Sequence, residues 1–421
     1  MVIGAIWRDS HLCMVDETVQ IQAKAPVQRL LRPLQEFFAL ETSAGFVLLF
    51  CTIIALVWAN SPWAGSYAAL WRTTAGVAFD QFHLLRDLHF WVNDGLMSIF
   101  FFVVGLEIKR ELLEGELRSP KRAALPILAA LGGVVVPAII YGRFNAGGLG
   151  SAGWGIPMAT DIAFAVGVMA LLGNRVPLGV KIFLTALAIA DDLAAVLVIA
   201  VFYTGQIGWW DLAMAGVCVL ALIAVNRLGI RHPVPYVLLG MVLWILMLES
   251  GVHVTIAGVL LAGAVPTRSD PDGRFPSLAR WFEHTLHPFV TFLIMPVFAL
   301  ANAGLRFTEG MSETLSQPIA LGVILGLMLG KPIGIMLASW SAVKLKLASL
   351  PSGVGWREIH GASWLGGIGF TMSLFIASLA FRDPALLRVA KFGIFTGSLL
   401  AGSVGSLLLM RQYARRNEPD D

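Results

Sequence analysis

Apolar runs of membrane-crossing length recur along the chain. They lie at about 43–60, 90–109, 122–143, 155–173, 178–203, 210–227, 234–250, 252–266, 286–304, 318–343, 360–381 and 389–411. A helix needs about 20 mainly apolar residues to cross a hydrocarbon core of about 30 Å. The pattern therefore predicts an all-α polytopic membrane protein with about twelve transmembrane helices. The run at 252–266 is short for a crossing, and Ser250-Gly251 before it also reads as a kink in one longer element. Residues 1–35 are mixed and polar and read as a poorly ordered or amphipathic leader, with a short surface helix at 28–40 and Met14 as a second available start. No compact apolar core of a cleavable signal peptide is evident there. The longest connection, 61–88, contains a partly alternating stretch at 77–84 that reads as a short hairpin or as plain loop.

Composition agrees with the pattern. Of 421 residues, 57% are hydrophobic and 14% charged, against about 25% charged in soluble domains. Cys13, Cys51 and Cys218 are too far apart for a disulfide framework or a metal site. No cofactor is expected, and nothing points to nucleic acid. The 43 glycines and 20 prolines, many inside apolar runs, predict close helix packing and interrupted helices. Loop charge sets the orientation. With both termini cytoplasmic, Lys109, Arg110, Arg118, Lys121, Arg122, Arg227, Arg231, Arg411, Arg415 and Arg416 fall on the cytoplasmic side. The sparser Arg72, Arg86, Arg143, Arg306, Arg382 and Arg388 fall outside.

Three carboxylates stand out inside these runs: Asp161, in Thr160-Asp161-Ile162, and the adjacent Asp191 and Asp192. A charge at the bilayer centre costs about 2.5–3.5 kcal/mol on insertion scales, so such residues mark functional sites. Adjacent carboxyls exchange protons as a coupled unit. Their oxygens also suit a hard cation such as Na+ or Li+. One site cannot hold proton and cation together, and that competition is what an antiporter requires. The structural alternative is that the pair neutralises a buried base or caps a half-helix. Asp161 follows Pro157, so an unwound span 4 would make it a counter-charge to helix ends or a direct ligand, with Thr160 lending an oxygen.

Lys331, before Pro332, is a cation well inside an apolar run. It pairs with a carboxylate, offsets helix C-terminal ends or carries a proton. Thr160-Asp161-Ile162-Ala163-Phe164 in span 4 has an echo at Thr371-Met372-Ser373-Leu374-Phe375 in span 11, and each follows a Gly- or Pro-rich break. The two spans run in opposite directions in a twelve-span chain, as in an inverted-repeat transporter. Asp94 reads as an entry residue or a cap. Glu107, Arg110 and Glu111 end span 2, and Glu283, His284 and His287 form a second charged cluster; each is an ordinary helix end or part of a cation funnel. His253 is a packed histidine or a pH sensor. An intramembrane aspartyl protease would carry its aspartates on separate helices, so an enzyme is not expected. A cation channel or a Na+-coupled solute symporter remains the alternative.

The motifs at 159–165, 188–193, 330–334, 367–373 and 104–111 closely resemble bacterial Na+/H+ antiporters of the NhaA type, over about residues 35–411. The resemblance implies interrupted, crossing spans 4 and 11 and inverted repeats at spans 3–5 and 10–12. It implies an antiporter domain over 36–411 and a cytoplasmic tail over 412–421. Asp192 would be the principal cation and proton carboxylate, with Asp191 its partner, titrating or ion-paired with Lys331. Asp161 and Lys331 would compensate helix ends. Glu107, Arg110, Glu111, Glu283, His284 and His287 would form a pH-responsive cytoplasmic region. The implied activity is electrogenic exchange of internal Na+ or Li+ for external protons, serving pH homeostasis in the bacterial inner membrane. The implied partners are membrane lipid and a second copy of the chain, joined through the external hairpin.

Overall fold

The computed structural model describes residues 43–79, 82–172, 176–267, 277–307, 311–351 and 353–414. The expected leader at 1–35 and the end of the expected tail lie outside the described residues. The chain runs α1 (Ser43–Ala59), α2 (Ala64–Arg72), a hairpin of β1 (Thr74–Phe79) and β2 (Phe82–Asp87), then α3 (Leu88–Leu113) and α4 (Pro120–Asn145). A 3-10 helix (Ser151–Met158) precedes α5 (Ile162–Leu171) and α6 (Leu178–Phe202). Next come α7 (Trp209–Arg227), α8 (Pro233–Ser250), α9 (Ile256–Ala264) and α10 (Leu278–Asn302). The chain closes with α11 (Met311–Ser316), α12 (Pro318–Lys344), α13 (Trp356–Leu365), α14 (Phe370–Ala380) and α15 (Pro384–Ala414).

Among the described residues, nine helices are long and apolar enough to cross a membrane, or eleven if each of two bent pairs counts as one span. The bends are 113° between α1 and α2 and 48° between α13 and α14. Helix boundaries follow local chemistry. Pro120, Pro233, Pro318 and Pro384 each stand at the first helical position, where a missing N–H costs nothing. The exposed Trp209 and Trp210 open α7 at a level suited to the membrane interface. Helix α8 stops at Gly251, whose φ of 76° is left-handed. The short apolar run at 252–266 is thus a separate nine-residue helix, about 14 Å long, less than half the core thickness. Lys109 holds its free end by donating to the carbonyls of Gly263 at 2.7 Å and Val265 at 2.6 Å.

The hairpin forms, with Thr74 paired to Asp87 and Phe79 to Phe82. Asp94 does not cap a helix; the cap at the start of α3 is Asp87, which accepts from Phe90 N at 2.8 Å. Helix α10 begins eight residues before the apolar run that predicted it, because its first turns are amphipathic and carry Arg280, Glu283 and His284. Turns of π-helix interrupt α3 at Trp91–Leu96, α10 at Val290–Ile294 and α12 at Gly326–Gly330. Such turns gather at functional sites.

Two bundles result. One packs α4, α5, α6 and α12–α15 around the 3-10 helix; the other packs α3 and α7–α10. Helix α6 is buried along most of its length, whereas α7 and α8 turn Val217, Leu220, Val237 and Met241 outward. In the first bundle, α4 and α12 touch backbone to backbone. A Cβ on Gly132 would lie 2.2 Å from Gly334 O, and one on Gly334 would lie 2.1 Å from Gly132 O.

Gly334→Ala should therefore push α12 off α4 and destabilise the protein by about 1–3 kcal/mol. Gly142→Ala, where a Cβ meets nothing within 4 Å, should not. Thermal unfolding of the two purified variants in detergent checks this contrast. Equal midpoints would refute the packing argument.

Candidate functional site

Two broken helices meet inside the first bundle. Pro157, in the 3-10 helix, has no backbone N–H to donate. Ala159 and Asp161 are extended, with ψ of 150° and 103°, so no helix continues through them. Facing them, Gly366–Gly369 separates α13 from α14. The approach requires glycine: a Cβ on Gly367 would lie 2.5 Å from Leu327 O, and one on Gly369 would lie 3.1 Å from Ala159 O. The two breaks touch directly, Asp161 N donating to Ile368 O at 2.7 Å.

Helix ends in hydrocarbon leave backbone groups that water cannot satisfy. Asp161 meets the donors. Its Oδ1 accepts from Phe164 N at 3.1 Å, and its Oδ2 accepts from Thr371 N at 3.0 Å and from the Thr371 hydroxyl. One carboxylate thereby caps the N-termini of both α5 and α14, where the helix dipoles favour negative charge. Ser398 Oγ, on α15, accepts from Gly369 N at 3.3 Å and Phe370 N at 3.2 Å. Lys331 meets the acceptors. Its ammonium donates to Met158 O, at the end of the 3-10 helix, and lies 2.7 Å from Asp191 Oδ2. One fully buried side chain thus contacts both a carboxylate and the carbonyl of a helix end.

Asp191 and Asp192 part company. Successive residues on a helix are turned by about 100°. Asp191 points to Lys331 and to the Thr160 hydroxyl, which stands 2.6 Å from its Oδ2 and 2.8 Å from Gly366 O. That hydroxyl has one proton for two acceptors, and Asp191 Oδ1 has no hydrogen-bond partner. Asp192 faces instead a cavity of about 310 Å³, lined also by Thr160, Asp161, Thr185 and Thr371. Among the described residues, no hydrogen bond or ion pair is made by its carboxylate.

The cavity lies between the bundles, with α3 and α10 on one wall and α5, α6 and α14 on the other. Its mouth carries Glu107, Arg110, Glu111 and His287, on the face that also bears Lys109. Arg110 bonds Glu283 across the mouth and lies 3.6 Å from Glu111, while His287 Nε2 lies 3.5 Å from Glu107. The two charged clusters read from the sequence are thus one assembly, and it leads to Asp192. His284 is exposed and does not line the cavity. Asp94 and His253 pair with each other at 3.6 Å, away from the cavity.

Some partners escape sequence reasoning. The echo of Thr160 marked Thr371 without assigning it a task. Thr185 is a lone hydroxyl in α6 and Ser398 one of four Ser/Thr residues in α15, so neither carries a sequence signal.

Comparison with known proteins places this geometry in a family. The chain is 48% identical to the Na(+)/H(+) antiporter NhaA of Oleidesulfovibrio alaskensis, covering 94% of this chain and 98% of that one. It is 49% identical to the NhaA antiporter of Shewanella oneidensis, over 91% and 99% of the two chains. A solved sodium proton antiporter, MjNhaP1 from Methanocaldococcus jannaschii, matches with a TM-score of 0.51 over 91% of this chain and 99% of that one. At 13% identity, this is a likeness of fold alone. The family model for Na+/H+ antiporter 1 matches residues 35–409, and the chain, whose broken helices and buried aspartates lie within that stretch, belongs to this family.

Proposed function

We propose that the protein is an electrogenic Na+(Li+)/H+ antiporter of the bacterial inner membrane, exporting cytoplasmic Na+ against external protons by alternating access. The observation that carries this reading is the carboxylate of Asp192, which faces the cavity with no hydrogen-bond or ion-pair partner among the described residues. The face bearing Lys109, Arg110, Arg118, Lys121 and Arg122 is cytoplasmic by its positive charge, so both termini are cytoplasmic and the cavity opens inward. The chain crosses the membrane about twelve times, and two inverted three-helix repeats, spans 3–5 and 10–12, form the working core. The hairpin of β1 and β2 joins two copies of the chain.

A cation entering past Glu107 and Glu111 exchanges hydration oxygens for those of Asp192, with Thr160 close by. Binding requires the ionised carboxylate, so the cation displaces a proton. Ionised, Asp161, Asp191, Asp192 and Lys331 carry three negative charges and one positive. Asp161 is committed to helix ends, which leaves the Asp191–Lys331 pair to release or take up the second proton. More than one proton per cation then makes transport respond to membrane potential. The His287–Glu107 contact, in the charged assembly with Arg110, Glu111 and Glu283, gives the cytoplasmic side its pH response.

In everted vesicles, Asp192→Asn should abolish Na+-driven dissipation of a proton gradient. Full retained activity would remove Asp192 as the carrier.

Competition also predicts a pH trend. While the Asp192 carboxyl is mostly protonated, each unit of falling pH should raise the apparent KM for Na+ about tenfold, if one proton competes. Initial rates measured against Na+ concentration at several pH values test this; a KM independent of pH would exclude a shared site.

Lys331→Ala leaves Asp191 buried without its counter-charge and should cost about 3–5 kcal/mol. Adding Asp191→Asn should recover much of that loss. A double-mutant cycle on thermal stability in detergent decides, and additive losses would mean that the pair is not coupled.

A further inference from the structure

On the side away from the cavity mouth the two bundles are closed against each other. Phe375, fully buried on α14 of the first bundle, meets Phe101 of α3 at 5.4 Å and Phe298 of α10 at 6.2 Å between ring centres. Behind this plug lies a polar chain. Lys391, on α15 of the first bundle, donates from Nζ to Asn302 O at 2.6 Å, at the end of α10 in the second bundle. Asn302 Nδ2 donates to Asn93 Oδ1 at 2.8 Å, in the π-turn of α3. Asn302 is fully buried, and Asn93 is buried. Lys391 has no carboxylate partner among the described residues, unlike Lys331.

We infer that Lys391, Asn302 and Asn93 form the latch that holds the far side shut, and that the Lys391 bond must part each time the ion site turns that way. The inference rests on the exchange reading above. A cation on the last carbonyl of a helix is also a C-terminal cap, but a cap needs no particular bundle for its donor. Here donor and acceptor belong to the two bundles that the cavity separates on the opposite side. The bond is charge-assisted, hence strong, yet it joins an ammonium on a partly exposed side chain to one carbonyl. Water can replace either partner when the bundles rock, so the latch opens without stranding a buried carboxylate.

The test uses Thr185→Cys as reporter, in protein with Cys13, Cys51 and Cys218 replaced by serine. Thr185 lines the cavity, and its hydroxyl has no hydrogen-bond partner. A membrane-impermeant thiol reagent should label otherwise wild-type protein from the mouth side and much more slowly from the far side. Lys391→Met and Asn93→Ala should each raise far-side labelling about tenfold, the shift expected when a hydrogen bond is removed from one of two states. Lys391→Arg should restore the wild-type ratio. Far-side labelling at the wild-type rate in both Lys391→Met and Asn93→Ala would overturn the latch.

Should those variants fail to fold, a Lys391→Cys, Asn302→Cys protein bridged by a short reducible bifunctional reagent decides. Exchange should stop on bridging and return on reduction, and undiminished exchange in the bridged protein would overturn the proposal. Na+/H+ exchange by the wild type in the same vesicles tests the antiport reading separately.

Discussion

Everything at the centre of this protein follows from two helices that stop in hydrocarbon. Their exposed N–H and C=O groups have no water to turn to, and each unsatisfied group costs several kcal/mol. The structure satisfies them with opposite charges at opposite ends. Asp161 takes the N-terminal donors of α5 and α14, and Lys331 takes the carbonyl of Met158. Thr160, Ser398 and the Asp161–Ile368 backbone bond complete the set. The breaks give Asp161 and Lys331 partners for their buried charges: helix N–H groups for the one, a helix carbonyl and Asp191 for the other.

This constraint also explains how two adjacent aspartates differ. Lys331 reaches from the helix end to Asp191 at 2.7 Å, so Asp191 is bound into the machinery of the crossing. Asp192, one helical step on, escapes it and faces the cavity. Any ion at Asp192 lies one residue from the group that balances the broken helices. On the exchange reading proposed above, occupancy of the site and the arrangement of the crossing are electrostatically linked, as alternating access requires.

Close packing sets the reach of these contacts. The bare backbones of Gly132 and Gly334 let α4 and α12 meet, which places Lys331 beside Met158. Bulkier residues there would push α12, which carries Lys331, off α4. The second bundle is less intimately joined to the first. Its α3 and α10 form the far wall of the cavity and, on the other side, the partners of Phe375 and Lys391. One pair of bundles thus encloses both the open and the closed side.

Hydropathy by itself determined the all-helical class, nearly all the long helices and the depth of Asp161, Asp191, Asp192 and Lys331, because hydrocarbon thickness and the cost of buried charge act on any chain that crosses a membrane. Proline and glycine located both breaks, since Pro157 cannot donate to a helix and the glycines of 366–369 disfavour one, whatever surrounds them. The family resemblance offered Asp191 as a partner for Lys331, but only tertiary structure decided among the carboxylates. The choice of Asp191 over Asp192 for Lys331 depends on how α6 is rotated against α12, and nothing local sets that angle. The π-turns and the amphipathic start of α10, where Arg110 of α3 holds Glu283, were likewise invisible; the run of α9 read as short, but that Lys109 holds its free end did not show. Sequence periodicity records which residues prefer to be buried, whereas the pairing of buried charges is a property of packed helices.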